Sequence, residues 1–189
     1  MAGHSLDASP EQMPEYAHIP LVISFVSWSG VGKTTFLEKL VPELKKLGLR
    51  VGVLKHHAHA TPFDVPGKDT YRLSEAGADI VVGASPVQTA IFIPGDASAD
   101  LDAVIRRHLM DVDLVLLEGY SRGNYRKIEV YRSDRGGQDN ADDGLLCDVT
   151  ELLAVATDVR LALPETIRQF GLDDPAGVAN LLSELALQR

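Results

Sequence analysis

Cysteine is almost absent: Cys147 is the only one in 189 residues. No intrachain disulfide can form, and no cysteine-based metal centre can be assembled. Basic residues are also scarce, 18 Lys and Arg against 27 Asp and Glu, for a formal net charge of −9. That balance speaks against a nucleic-acid partner, which needs a net basic face, yet leaves room for one local basic pocket. No Lys or Arg precedes Lys33, so a secretory signal would lack its positive start. No apolar run approaches the roughly 20 residues of a membrane-spanning helix. Aromatic residues make up 6% of the chain and Trp28 is the only tryptophan. These absences lead to the expectation of a cytoplasmic protein with neither a nucleic-acid nor a membrane partner.

What is present begins at Leu21. An apolar run over 21–26 leads into Ser27-Trp28-Ser29-Gly30-Val31-Gly32-Lys33-Thr34-Thr35, and Phe36, Leu37, Leu40, Leu44 and Leu47 then recur at helical spacing. A strand, a Gly-rich loop, Gly-Lys-Thr and a helix are the parts of a phosphate loop in their required order. Glycines let backbone N–H groups turn toward phosphate oxygens, and the helix N-terminus adds partial positive charge. Ser29, Gly30, Val31, Gly32, Lys33, Thr34 and Thr35 are thus the candidate nucleotide ligands, with Lys33 on the outer phosphates and the Thr34 hydroxyl on Mg²⁺. The full pattern asks for Gly where this chain has Ser27, which would restrict the bend from strand to loop.

Residues 1–18 contain Pro10 and Pro14 without periodicity and read as a mobile leader; 19–189 read as one nucleotide-binding domain. Pro42 is expected to kink the first helix and Gly48 to end it. A strand over 50–55 leads to a loop at 56–69, a short helix at 69–76 and a hairpin from 79–84 and 87–93. A helix at 97–110, strands at 113–117 and 152–156, and a last helix from Asp174-Pro175 complete the alternation. Lys127, Glu129 and Tyr131 alternate with Ile128 and Val130, the pattern of a half-exposed or edge strand. The expected class is α/β, a P-loop NTPase with a mostly parallel sheet flanked by helices and an antiparallel hairpin or edge strand. Ligands of such sheets gather at the carboxyl ends of the strands. Four candidate segments start there, at Ser27, Lys55, Glu118 and Thr157.

Glu118 ends an apolar strand, where phosphate-loop proteins place the acid that holds Mg²⁺ directly or through water. In the loop after Lys55, residues His56, His57 and His59 invite a metal reading, but a structural zinc site wants four ligands and no cysteine is near. The alternative is a nucleotide-sensing switch, with Lys55 or a histidine near the γ-phosphate and Asp64 or Asp69 near Mg²⁺ or the attacking water. Lys33, Asp69 and Glu118 are the candidate catalytic residues; Thr34, Glu118 and Asp64 are the candidate metal ligands. Arg122, Arg126, Lys127, Arg132 and Arg135 form a local basic run, either a dock for a phosphorylated partner or charge guarding an exposed edge strand. Asp158 follows a strand, and its carboxylate could accept the ring N–H and exocyclic amine of guanine.

The block Trp28-Ser29-Gly30-Val31-Gly32-Lys33-Thr34-Thr35, the segment Pro66-Gly67-Lys68-Asp69-Thr70-Tyr71-Arg72 with Glu75-Ala76-Gly77-Ala78, and Leu116-Leu117-Glu118-Gly119-Tyr120 resemble the MobB family. Its members are molybdopterin-guanine dinucleotide biosynthesis adapter proteins, in the signal-recognition and MinD-related branch of P-loop GTPases. The resemblance covers residues 21–185. It implies binding of GTP with Mg²⁺, feeble hydrolysis and a homodimer. The implied role is to assist a MobA-type nucleotidyltransferase that joins GMP to molybdopterin, with Arg122, Arg126 and Arg132 available to molybdopterin itself. Carried over by position, the family's ligands fall on Gly30, Gly32, Lys33, Thr34, Thr35, Lys55, His56, His59, Asp64, Asp69 and Glu118. Family members often carry Lys-His-x-His-His where this chain has Lys55-His56-His57-Ala58-His59. The competing readings are a small-molecule kinase on the same loop and a nickel-chaperone maturation GTPase, the latter lacking a Cys/His site. A MinD-type ATPase would carry an extra lysine where this chain has Trp28.

Overall fold

The computed structural model describes residues 19–57, 62–94, 100–134 and 144–188. The leader expected at 1–18, His59 and Arg135 lie outside these residues. In chain order the elements are β1 (Leu21–Val26), α1 (Lys33–Lys46), β2 (Val51–Lys55), α2 (Asp69–Glu75), β3 (Val81–Ala84), β4 (Thr89–Phe92), α3 (Leu101–His108), β5 (Leu114–Glu118), β6 (Arg126–Tyr131), β7 (Leu152–Thr157), β8 (Arg168–Gly171) and α4 (Pro175–Leu187). Six strands form one parallel sheet in the order β2-β5-β1-β6-β7-β8, and β3 pairs with β4 as an antiparallel hairpin. The expected α/β class and the hairpin both stand. No helix among the described residues is long and apolar enough to cross a membrane.

Strand periodicity divides the sheet into two apolar faces. Leu21, Ile23 and Phe25 of β1 and Leu114 and Leu116 of β5 pack with Phe36, Leu37, Leu40 and Leu44 of α1 and Val178, Leu181 and Leu182 of α4. The alternate residues Val22, Val115 and Leu117 pack on the other face with Ile105 and Leu109 around α3. α1 runs through Pro42 and ends at Gly48, which has φ +81°. There Leu49 N–H returns to the Leu44 carbonyl and Gly48 N–H to that of Lys45, the paired bonds of a glycine-terminated helix. α4 starts as expected, with the Asp174 carboxylate accepting Gly177 N–H and Pro175 in the first turn.

β6 is not the edge strand its alternation suggests. It lies between β1 and β7, and every residue from Lys127 to Tyr131 is buried. Polar residues at alternate positions usually mark a solvated face, but here both buried charges have partners. Lys127 Nζ meets Glu151 Oε1 at 2.9 Å and the Gly123 carbonyl at 3.2 Å. Glu129 accepts the N–H groups of Leu146 at 2.7 Å and Cys147 at 3.2 Å. These contacts strap Gly123, residues 146–147 and Glu151 to β6. The true edge strand on that side is β8, which periodicity did not reveal.

Candidate functional site

β1 and β5 are neighbours in register, with Phe25 opposite Glu118, and β2 flanks β5 on its other side with Lys55 also opposite Glu118. The carboxyl ends of three strands therefore bring the loop after β1, Glu118 and Lys55 together. An open cleft of about 310 Å³ lies there, lined by residues 27–35 and Glu118. Gly30 at φ +78° and Gly32 at φ +100° supply the two left-handed turns of the loop, which side chains with a Cβ resist. No non-glycine among the described residues has positive φ. Ser27 is therefore an unstrained replacement for the expected glycine, and its hydroxyl donates to the Trp28 carbonyl at 2.8 Å.

α1 begins without a cap. Gly32 offers no side-chain acceptor, and its first turn has no acidic residue. α3 and α4, by contrast, are capped by Asp100 and Asp174. The first α1 bond is Phe36 N–H to the Gly32 carbonyl, leaving the preceding N–H groups and the positive end of the helix dipole at the cleft. Lys33 stands on the same turn and makes no ion pair among the described residues. Burial lowers its amine below the usual lysine range, Glu118 acts to raise it and Lys55 to lower it. A desolvated ammonium calls for an anion, and an uncapped helix end calls for the same one.

The Thr34 hydroxyl donates to Glu118 Oε1 at 2.5 Å, and Lys55 Nζ lies 3.3 Å from the same oxygen. One hydroxyl and one carboxylate oxygen are the donor set for Mg²⁺, a hard cation that takes its remaining ligands from phosphates and water. The residues present fit that ion. Among the described residues no three His, Cys, Asp or Glu side chains gather as a metal-binding cluster; His59, the third histidine of the metal reading, lies outside them.

The other expected residues take varied places. His56 follows β2 directly; its N–H donates to the Glu118 carbonyl at 2.9 Å, and its ring meets Tyr120 edge-on at 5.2 Å. Its Nδ1 is buried without a hydrogen-bond partner among the described residues. His57 packs against Phe63. Asp64 accepts Val65 N–H at 2.7 Å with one oxygen, and its other oxygen is buried without a partner among the described residues. Asp69 opens α2, fully exposed, 3.8 Å from Arg72. Asp158 follows β7, and its two oxygens accept the Ser133 N–H at 2.8 Å and hydroxyl at 3.1 Å. Burial alone would raise its carboxyl; the two Ser133 donors, with Arg132 nearby, hold it below the usual carboxylate range.

The basic run does not form one patch. Lys127 is buried inside the sheet, and Arg126 and Arg132 flank β6 at opposite ends, about 20 Å apart at 3.3 Å per residue. Arg132 instead reaches the phosphate loop, its Nε donating to the Val31 carbonyl at 3.4 Å. Sequence reasoning did not assign that contact, nor the Ser24 hydroxyl that donates to the Tyr120 carbonyl, nor the Ser133–Asp158 pair. Ser24, polar within an otherwise apolar strand, was the one visible signal among them.

The family model for molybdopterin guanine dinucleotide synthesis protein B, MobB, matches residues 22–158. A molybdopterin-guanine dinucleotide biosynthesis adapter protein of Escherichia coli (strain K12) is 36% identical over 169 residues, which is 88% of this chain and 93% of that protein. A protein of the same description from Haemophilus influenzae is 36% identical over 151 residues, covering 79% of this chain and 80% of its own. A crystal structure of molybdopterin-guanine biosynthesis protein B superposes with a TM-score of 0.66 at 30% identity, over 88% of this chain and 99% of that one. Bacillus subtilis MobB shares the fold, with a TM-score of 0.61 at 22% identity over 87% and 97% of the two chains. With a family model matched over residues 22–158 and relatives 36% identical over most of both chains, the chain belongs to the MobB family.

Proposed function

We propose that this chain binds GTP with Mg²⁺ at the loop 27–35 and, in that state, assists a MobA-type nucleotidyltransferase that attaches GMP to molybdopterin. The observation that carries the nucleotide half is Lys33, a half-buried ammonium with no ion-pair partner among the described residues, at an uncapped helix end. Backbone N–H groups of Ser29, Gly30, Val31 and Gly32 surround the phosphates, with Lys33 and the Thr34 and Thr35 N–H groups completing the cradle. Thr34 and Glu118 hold Mg²⁺, and Asp64 is the further acid available to it. When bound, the ion neutralises phosphate charge. Lys55, His56 and His59 serve as the nucleotide-responsive segment, and Asp69 as the candidate for orienting water in a feeble hydrolysis. Guanine preference is assigned to Asp158, whose position is supported by Arg132: this arginine contacts the phosphate loop, and Ser133 beside it holds the carboxylate.

The adapter role rests on family membership. Relatives of this chain carry the name of an adapter in molybdopterin-guanine dinucleotide biosynthesis. A homodimer is supported by the hairpin, where Val82 and Ile91 face each other across the register and are more than half exposed, as are Ile80 and Val87. Of the three arginines, Arg132 belongs to the nucleotide loop, leaving Arg122 and Arg126 as the pair available to a molybdopterin phosphate. The test is capture from cell extract with the full chain, with and without a non-hydrolysable GTP analogue. Recovery of a molybdopterin nucleotidyltransferase only with the analogue supports the reading; recovery of that enzyme regardless of nucleotide contradicts it.

A further inference from the structure

Lys55 stands on the carboxylate assigned to Mg²⁺. It ends β2 directly opposite Glu118, and its ammonium lies 3.3 Å from the carboxylate oxygen that also takes the Thr34 hydroxyl. The backbone around this contact is closely fitted. His56 N–H is bonded to the Glu118 carbonyl, and a Cβ on Gly119 would stand 2.9 Å from the His56 carbonyl oxygen. The strand ends therefore move little, and the lysine side chain is the adjustable part; it is 44% exposed, against 8% for Glu118. A divalent cation held by Thr34 and Glu118 would stand close to this ammonium, and like charges at that range repel strongly. Lys55 then needs another anion, and a nucleoside triphosphate supplies one that a diphosphate lacks.

This inference rests on the nucleotide reading above. We propose that Lys55 senses the γ-phosphate: it holds Glu118 when no triphosphate is present, and exchanges that carboxylate for the γ-phosphate when Mg²⁺ and triphosphate arrive together. With a diphosphate the lysine stays on Glu118 and competes with Mg²⁺. Because His56 follows Lys55 in the chain and leans on Tyr120, the exchange reaches both the loop after β2 and the segment after β5.

The experiment compares GTP and GDP binding to the full chain and to Lys55→Met, with and without Mg²⁺, by calorimetry and by the fluorescence of Trp28. Methionine keeps the apolar stem and removes the charge. In the unsubstituted chain Mg²⁺ should strengthen GTP binding far more than GDP binding. In Lys55→Met the preference for GTP over GDP should fall about tenfold, with Mg²⁺ now strengthening GDP binding, while Lys55→Arg keeps most of the preference. Lys55→Gln repeats the measurement if the methionine variant does not fold. A variant that binds both nucleotides with the original ratio overturns the sensor role and leaves the nucleotide site standing. Equal weakening of both also overturns it, because a merely structural ion pair would act that way. Failure of the unsubstituted chain to bind either nucleotide overturns the nucleotide reading, and the sensor with it.

Discussion

The Thr34 hydroxyl donates to Glu118 Oε1 at 2.5 Å, joining the first turn of α1 to the end of β5. Neither residue could find the other without the parallel pairing of β1 and β5, which carries Phe25 and Glu118 to the same level. In the proposed site, the contact couples the loop assigned to the phosphates to the acid assigned to the metal. Removing the acid should therefore separate metal dependence from nucleotide binding. In Glu118→Ala, nucleotide binding should persist through Lys33 and the loop N–H groups, while its strengthening by Mg²⁺ falls at least about tenfold, or about 1.4 kcal/mol. Titrating GTP with and without Mg²⁺ on both proteins checks this. An unchanged Mg²⁺ effect would remove Glu118 from the metal site.

The buried charges of β6 should differ in what their removal costs. Lys127→Met replaces an ammonium whose partner Glu151 is 45% exposed and can return to water, so the cost should stay within about 1 kcal/mol. Glu129→Leu strands the Leu146 and Cys147 N–H groups that its carboxylate accepts, and should cost about 2–5 kcal/mol. Urea unfolding of the two variants measures both values, and a Glu129 variant as stable as the lysine one would contradict the strap.

Cys147 should be a poor nucleophile in the folded chain. Burial, with Glu129 next, pushes its thiol up to about 11. Since the thiolate is the reactive form, alkylation near pH 8 should be on the order of 100-fold slower than in the denatured chain. Timed labelling with iodoacetamide, with and without denaturant, gives the ratio, and equal rates would contradict the burial of this segment.

Asp158→Ala should weaken GTP against ATP without abolishing triphosphate binding, since Lys33 and the loop stay intact. The acid side of the same residue has a defined sign. Its native carboxyl is held low by the Ser133 N–H and hydroxyl against the effect of burial, so the stability it adds is fully present above the unfolded value of about 3.9. That contribution is lost as pH falls through the lowered native value. Displacement of a labelled guanine nucleotide by GTP and ATP tests the first point. For the second, Asp158→Ala should lose stability relative to the unsubstituted chain near neutral pH, and the gap should close only in strong acid.

Much of this site was legible along the chain because it is local. A strand, two glycines, Lys33 and a helix sit within consecutive residues, and Glu118 closes an uninterrupted apolar strand. The start of α4 was legible for the same reason, with Asp174 and Pro175 adjacent. What escaped depends on strand order. Lys55 meets Glu118 only because β2 lies beside β5, and Arg132 meets Val31 only because β6 lies beside β1. The same cause misplaced β6, since Lys127 and Glu129 find their partners at Glu151 and at residues 146–147, segments that periodicity cannot join to them. β8, with Phe170 as its only large apolar residue, is held by backbone pairing to β7 rather than by a pattern of its own.

The central claim is that the cleft at the start of α1 is a guanosine triphosphate site built on Lys33. Calorimetric titration of the full chain with GTP and Mg²⁺, beside Lys33→Ala, tests it most directly. The expected result is saturable heat for the unsubstituted chain and at least about a 100-fold loss of affinity in the variant, with its thermal melting unchanged. No heat with any purine triphosphate and Mg²⁺ on folded protein, or equal affinity in Lys33→Ala, would contradict it.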